Sequence, residues 1–571
     1  MNRIASEKTL TKSTIFVAFL LLGSAAVTRA ADPLVGTWEF KFFLGDQEVT
    51  ARAEFAKGAD GAYRGTWTPV WPEDFQGDQP EFEVKLSDIT LDGNKIEFVQ
   101  TVSSPDWEFV LDYAGTLQSD KITGVFSGDQ GDLEAVATRM ASELSSGFWS
   151  WASTPPMGWN SWDCYGPTVT EAEVRANADY MAAHLQSHGW QYVVVDIRWF
   201  VENTKAHGYN QTDPRYVMDE YGRFLPAVNR FPSAAGGRGF KPLADYIHSK
   251  GLRFGIHVMR GIPVEAVRKN TPILGSSARA TDVYSTEQQC PWLRDMYTIV
   301  ADRPGAQEYY DSIFRLYASW DVDYVKIDDL SRPYHRAEIE LIRKAIDGCG
   351  RPMVLSTSPG ATPLEAAEHV KTHANLWRIS DDFWDRWVDI VEMFERCRNW
   401  APHVGPGHWP DADMLPLGRI SIRGERGDDR RTRLTKDEQI TLMTLWSIFR
   451  SPLMFGGDLP SNDKFTLSLL TNDEVLAVNQ NSTNHRELYR HDGLIAWVAD
   501  VPDAKDKYVA LFNTRDASEA ASVKVIFETV GLQGRCTVRD LWGRKDLGTF
   551  SDEFISPIPS HGAGLYRISQ E

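Results

Sequence analysis

The sequence predicts a multidomain chain: a (β/α)8 TIM barrel between an N-terminal all-β module and a C-terminal antiparallel β-sandwich. Three observations predict it. Short alternating runs fill residues 33–142, apolar strand-like runs alternate with long helical stretches over residues 149–478, and short strands return over residues 485–571. At 571 residues the chain has room for three to four domains, taking roughly 150 residues per domain.

The first 30 residues carry Arg3, Lys8 and Lys12, an apolar run from Ile15 to Val27, and Thr28-Arg29-Ala30 before Ala31. This pattern predicts a secretory signal peptide cleaved after Ala30, hence a secreted or periplasmic protein. The run is short for a membrane span of about 20 residues, and no later segment replaces it. A protein that does not span the membrane is therefore expected. The five cysteines, Cys164, Cys290, Cys349, Cys397 and Cys536, are widely spaced with no C-x-x-C pair. They indicate neither a zinc site nor a dense disulfide framework.

In the first module, Thr37–Phe42, Tyr63–Trp67, Lys95–Val99 and Ile122–Phe126 alternate and are separated by turns such as Asp92-Gly93-Asn94. The pattern is that of a small barrel or sandwich. No catalytic motif stands in it, so it reads as a structural module or a glycan-binding accessory. In the barrel, Tyr192–Val195 runs into Asp196, Tyr324–Ile327 into Asp328, and Leu376–Ser380 into Asp381-Asp382. Strand C-terminal ends carry the chemistry in such barrels. Leu494–Val498, Tyr508–Phe512, Ser522–Phe527, Cys536–Asp540 and Gly564–Arg567 build the closing sandwich.

Composition narrows the function. A formal net charge of −19 argues against a nucleic-acid partner, because phosphate tracking needs clustered positive charge. The 20 tryptophans suit core packing, and equally a sugar cleft in which indole faces stack on pyranose rings. The acids at Asp328 and Asp382 are placed to face each other across the barrel mouth, as glycoside hydrolysis requires of a nucleophile and an acid/base. Lys326, two residues before Asp328, shares its side of the strand. On spacing alone, the same acids serve equally as hydrogen-bonding supports for loops. Asp411, Asp413 and Asp458 form no recognisable metal loop, Gly236–Gly239 lacks a dinucleotide fingerprint, and no G-x-S-x-G elbow occurs. His257, His403 and His408 are possible bases or hydrogen-bonded wall residues.

Pro156-Met157-Gly158-Trp159-Asn160-Ser161-Trp162, Tyr324-Val325-Lys326-Ile327-Asp328 and Trp409-Pro410-Asp411-Ala412-Asp413-Met414-Leu415 resemble glycoside hydrolase family 27, the α-galactosidase and α-N-acetylgalactosaminidase group. Asp219–Arg223, Arg230–Pro232, His248–Leu252, Ser451–Met454 and Ser560–Gly562 follow the same pattern in order. The resemblance spans residues 150–569 and implies a retaining double displacement without a cofactor or a catalytic metal. Asp328 is then the nucleophile and Asp382, four residues after Arg378, the acid/base, with Asp381 its rival. Trp162 and Asp196 line the sugar site, Lys326, Arg378 and Asp413 reach its hydroxyls, and His257 stands where many members have Tyr. Plant-type galactosides or arabinogalactans are the carbohydrate partners this implies.

Two departures bear on the substrate. The family's Asp-Asp-Cys-Trp is here Asp196-Ile197-Arg198-Trp199, which resembles β-L-arabinopyranosidases, whose substrate is an α-D-galactoside lacking the hydroxymethyl group. Ile197 is expected against the sugar; otherwise it faces the barrel wall and Arg198 or a loop donor stands in for the missing acid. The loop reading the 2-position, Ser356-Thr357-Ser358-Pro359-Gly360-Ala361, carries small residues that can admit an N-acetyl group. The expected activity is exo-hydrolysis of α-D-galactopyranosides or β-L-arabinopyranosides. Its alternatives are an α-N-acetylgalactosaminidase and a glycan-binding protein on a disabled barrel.

Overall fold

The computed structural model describes residues 34–571 apart from 45–46, 58–61, 71–82, 105–106, 119–120, 130, 140–145 and 518. The leader segment expected over residues 1–30 lies outside the described residues. The chain forms two compact units, Met1–Leu144 and Ser145–Glu571. The barrel and the C-terminal β domain fall in one compact unit.

In the first unit eight strands follow one another: β1 (Gly36–Leu44), β2 (Gln47–Lys57), β3 (Tyr63–Val70), β4 (Glu83–Asp92), β5 (Lys95–Ser104), β6 (Trp107–Gln118), β7 (Lys121–Gly128) and β8 (Gly131–Arg139). They form one antiparallel sheet in the order β3-β2-β1-β8-β7-β6-β5-β4, and its edge strands β3 and β4 lie alongside each other. Period-two alternation turns one face inward. Trp38, Phe40, Phe55, Phe98, Tyr113 and Phe126 fill the interior, with Phe98 and Tyr113 stacked at 4.6 Å.

The second unit is built on eight parallel strands: β9 (Met157–Asn160), β10 (Tyr192–Val195), β11 (Arg253–Met259), β12 (Tyr324–Asp328), β13 (Val354–Thr357), β14 (Leu376–Arg378), β15 (Trp409–Asp411) and β16 (Leu453–Phe455). The order β15-β14-β13-β12-β11-β10-β9-β16, with a parallel bridge from Leu415 beyond β15 to Phe455, closes the barrel. Helices α1 (Glu171–His184), α2 (Lys241–Ser249), α3 (Ala306–Ser319), α4 (Arg336–Gly348), α5 (Ala367–Lys371), α6 (Trp387–Trp400) and α7 (Lys436–Phe449) form the crossovers. α7 starts at a reciprocal cap, in which Glu438 N–H donates to Thr435 Oγ1 and Thr435 N–H to Glu438 Oε2.

Strand alternation divides the barrel core. Tyr192, Val194, Tyr324, Val354, Leu376 and Trp409 belong to an inner cluster, whereas Val193, Val195, Val325, Ile327, Leu355 and Trp377 join the layer shared with the helices. Lys326 and Asp328 have the parity of Tyr324, Arg378 that of Leu376, and Asp196 that of Tyr192. All four therefore point to the barrel axis.

The C-terminal strands β17 (Thr483–His491), β18 (Leu494–Asp500), β19 (Lys507–Asn513), β20 (Ala521–Ile526), β21 (Arg535–Asp540), β22 (Lys545–Ser551), β23 (Glu553–Ile558) and β24 (Ala563–Gln570) make an antiparallel sandwich. Its sheets run β17-β18-β19-β24-β21-β22 and β20-β23. It docks on the barrel through α6 and α7: Trp542 Nε1–H donates to Thr444 Oγ1 at 2.9 Å, Thr441 Oγ1–H donates to the His561 carbonyl at 2.6 Å, and His561 stacks on Trp387 of α6 at 3.9 Å. These contacts explain why the two form one unit. The five cysteines are unpaired, and among the described residues no helix is long and apolar enough to cross a membrane.

Candidate active site

A cavity of about 1000 Å³ opens at the C-terminal ends of the barrel strands. Its lining includes Trp162, Asp196, His257, Lys326, Asp328, Ser358, Arg378, Asp382 and Asp413, nine of the ten residues singled out from the sequence. In the ladder between β11 and β12, His257 is opposite Lys326 and Met259 opposite Asp328. His257 thus sits between two acids, its Nδ1 2.6 Å from Asp196 Oδ2 and its Nε2 2.6 Å from Asp328 Oδ1. The Ser358 hydroxyl donates to Asp328 Oδ1 at 2.8 Å, and Lys326 Nζ lies 3.8 Å from Asp196 Oδ2.

Burial opposes charge on Asp196, His257 and Lys326, and mutual pairing outweighs it. Asp196 is buried, yet His257 and Lys326 hold its carboxyl far below the ordinary carboxylate range. Asp196 and Asp328 lift the buried His257 above the usual imidazole range, and with Asp413 they raise buried Lys326. The floor therefore offers two fixed donors beside two carboxylates.

Arg378 organises the opposite wall. Its Nη2 is 2.8 Å from Asp413 Oδ2 and 3.4 Å from Asp382 Oδ1, while Asp413 Oδ2 also accepts the Phe383 backbone N–H at 2.7 Å. Asp382 is thereby tied to the wall but keeps a partly open carboxylate. Its sequence rival Asp381 points to the rim and pairs with Arg332 at 2.7 Å, with both side chains mostly exposed. Asp411 lies beneath Asp413 and accepts its N–H at 2.8 Å; burial pushes its carboxyl up to about 6.

Ile197 is the tenth residue, and the structure does not bring it to the cavity lining. It is 1 % exposed and joins Val193 and Val195 in the layer between strands and helices. Alternation explains this placement, which matches the alternative reading that Ile197 faces the barrel wall: with Asp196 facing the axis, its successor faces outward. Arg198 does not replace the missing acid's role in the cavity. It is buried against Asp295, with Nε 2.9 Å from Oδ2. His403, His408 and Asp458 are also outside the lining, Asp458 accepting from Tyr165 Oη at 2.7 Å.

Sequence reasoning missed Asp163. Only 3 % exposed, it lines the cavity beside Trp162, and its Oδ2 has no hydrogen-bond partner. Gly456 makes room for it: a Cβ there would lie 2.0 Å from Asp163 Oδ2. Burial, reinforced by Asp413 and Asp382, pushes the Asp163 carboxyl well above the usual range and so favours its neutral form. An unfolded Asp titrates near 3.9, so in wild type this group costs stability as pH rises above about 4. Asp163→Asn removes that cost. Its Tm should exceed that of wild type by on the order of 1–3 °C at pH 7, with the gap vanishing below pH 4. An equal gap at both pH values would contradict the assignment.

A β-L-arabinopyranosidase of family 27 from Geobacillus stearothermophilus is 53% identical, with the match covering 74% of this chain and 98% of that one at a TM-score of 0.73. The chain belongs to glycoside hydrolase family 27. A second structural relative, described as a putative α-N-acetylgalactosaminidase from Bacillus halodurans, is 49% identical over 73% of this chain and 97% of its own, with a TM-score of 0.66. An α-galactosidase from Cyamopsis tetragonoloba is 28% identical over 423 residues, 73% of this chain and 86% of its own. Family models described as alpha galactosidase A and as alpha galactosidase C-terminal beta sandwich domain match residues 277–481 and 491–568. This family 27 chain is a glycoside hydrolase of the α-galactosidase type.

Proposed function

We propose that the chain is a retaining exo-glycosidase that releases terminal β-L-arabinopyranosyl units in preference to the homomorphic α-D-galactopyranosyl units, and that it acts after export. The observation that carries the reaction type is the pairing within one cavity of Asp328, braced by Ser358 and His257, with Asp382, braced by Arg378. An Asp328 carboxylate oxygen attacks the anomeric carbon as the bond to the aglycone breaks, and the leaving oxygen takes the Asp382 proton. The new glycosyl ester is then cleaved by a water that loses its proton to Asp382, restoring both groups. Lys326, Asp196 and Asp413 are the hydroxyl partners, and Trp162, stacked against Tyr209 at 6.1 Å, forms the apolar wall.

Two considerations support the arabinopyranoside. The family 27 relative at 53% identity is a β-L-arabinopyranosidase, whereas the Cyamopsis α-galactosidase is at 28%. The end of β10 also offers the cavity a single carboxylate, Asp196, because Ile197 faces the helices. A galactoside hydroxymethyl group that finds no partner there costs on the order of 1–3 kcal/mol to desolvate, about ten- to a hundredfold in rate, whereas an arabinopyranoside has no such group. The test is a panel of aryl β-L-arabinopyranoside, α-D-galactopyranoside and α-N-acetylgalactosaminide, with the first-formed anomer read by NMR. Arabinopyranoside should lead in kcat/KM by about tenfold or more, with a product of unchanged configuration. A tenfold preference for either other glycoside would refute the substrate, and an inverted product would refute the mechanism. Binding without turnover of any member would mean a glycan-binding protein on a disabled barrel.

A further inference from the structure

The outer half of the cavity differs in chemistry from its floor. Five arginines line it, Arg332, Arg386, Arg426, Arg430 and Arg433, in a chain whose formal net charge is −19. The carboxylates lining the same rim, apart from the proposed acid/base, are Asp381, Asp385 and Glu425. Arg332 pairs with Asp381 at 2.7 Å and Arg426 with Glu425 at 2.9 Å. Asp385, wholly buried, is already saturated, because both of its oxygens accept from Arg430 at 2.6 and 3.0 Å and one also takes the Arg433 backbone N–H. The Arg433 guanidinium stays 3.8 Å away and mostly exposed. Arg386 is likewise mostly exposed, but Asp389, outside the lining, holds its guanidinium through Nε at 2.9 Å and Nη2 at 2.7 Å, which leaves Arg433, among the described residues, as the rim guanidinium without a close carboxylate.

Position gives these exposed guanidinium groups a meaning. Arg386 follows Asp382 by four residues and Arg332 follows Asp328 by four, while the other three come from the segment between β15 and α7. An acid/base at Asp382 protonates the leaving oxygen, so the aglycone must lie on this side of the cavity. A guanidinium presents a planar fork that matches carboxylate and sulfate oxygens, and an exposed fork at a mouth, free as in Arg433 or held by an exposed ion pair, reads such groups bidentately. We propose that the rim is an aglycone subsite for an acidic glycan, in which the residue bearing the cleaved sugar carries an anionic group, a uronic acid carboxylate or a sulfate ester. This rests on the exo-glycosidase reading above and extends it from the released sugar to what the sugar is released from.

The test compares the full-length enzyme on matched disaccharides whose aglycone is a uronic acid, its neutral uronamide, or a sulfate ester of the neutral sugar. At low salt the anionic members should have kcat/KM about five- to tenfold higher, the range expected for a few solvent-exposed ion pairs. The advantage should fall towards unity near 1 M salt, where the Debye length is about 3 Å. Arg433→Gln and Arg386→Gln should each shrink the ratio, and the double variant should abolish it. Preference for the carboxylate, the sulfate or both supports the subsite and assigns which oxyanion it takes. Ready cleavage of the neutral disaccharide with a ratio near one at all salt concentrations overturns the subsite but leaves the glycosidase reading intact. Absence of turnover on every disaccharide and aryl glycoside overturns both.

Discussion

Asp328→Asn is expected to fold as wild type does and to lose at least about three orders of magnitude in kcat, on activated aryl glycosides as well as natural ones. The amide has the shape of the carboxylate and still offers an oxygen to the Ser358 hydroxyl, which donates to Asp328 Oδ1 at 2.8 Å. Packing around this buried position is therefore preserved. What the amide cannot do is form the glycosyl ester, the covalent intermediate on which the two-step route depends. A good leaving group does not help, because the lost group is the nucleophile and not the proton donor. The substitution also removes one of the two acids that raise His257 and one of those that raise Lys326. An NMR titration of the His257 ring should therefore show a lower pKa in the variant, a local electrostatic change without unfolding. Far-UV circular dichroism and Tm establish the fold, and initial rates give the loss. Activity within tenfold of wild type, in a preparation free of wild-type enzyme, would remove Asp328 from the nucleophile role.

The barrel was legible because its strands are buried on both faces and read as continuous apolar runs ending in acids. Tyr192–Val195 matches β10 residue for residue. Tyr324–Ile327 is extended by one residue in β12, because the ladder with β11 continues as far as Asp328 opposite Met259. β15 was visible only as a motif. Three residues containing Pro410 have no period, and proline is otherwise a mark against a strand. The small antiparallel excursion of Ile262–Pro263, Tyr284–Ser285 and Met296–Ile299 was illegible for a similar reason, its ladders being two residues long. Side-chain facing set a different limit. Alternation carries Lys326 and Asp328 to one side of their strand, whereas the family resemblance sets both Asp196 and Ile197 on the sugar. Applied there, alternation turns Ile197 outward, as found. Asp163 carried no signal, since an acid after Trp162 in a short helical turn belongs to neither period. Its significance comes from Gly456 and Asp413, remote in sequence, which supply the space and the like charge. The buried pairing of Arg198 with Asp295, 97 residues away, is likewise a product of the fold alone.

For Asp382→Ala the loss should depend on the leaving group. Phenolates of low pKa depart without a proton, so glycosylation of Asp328 should stay within about tenfold of wild type. Alkoxide aglycones, which need protonation in the transition state, should lose on the order of 10²–10⁴-fold. Deglycosylation suffers in either case, because the base that activates water is gone. On an activated aryl substrate the variant should therefore release a burst of one equivalent of phenol and then turn over slowly. Azide needs no general base, so it should accelerate that slow phase. It enters on the face vacated by the aglycone and should give a glycosyl azide with the substrate's anomeric configuration, opposite to that of the ester. Asp381→Ala is the control that separates the neighbours. Asp381 is mostly exposed and held by Arg332 at 2.7 Å, whereas Asp382 is held towards Asp413 by the buried Arg378. Loss of the rim pair should change rates by less than about fivefold, in keeping with the small worth of exposed ion pairs, with no azide rescue. If the burst and the rescue appear in Asp381→Ala and not in Asp382→Ala, the acid/base is Asp381, and the aglycone path drawn past Asp382 must be redrawn with it.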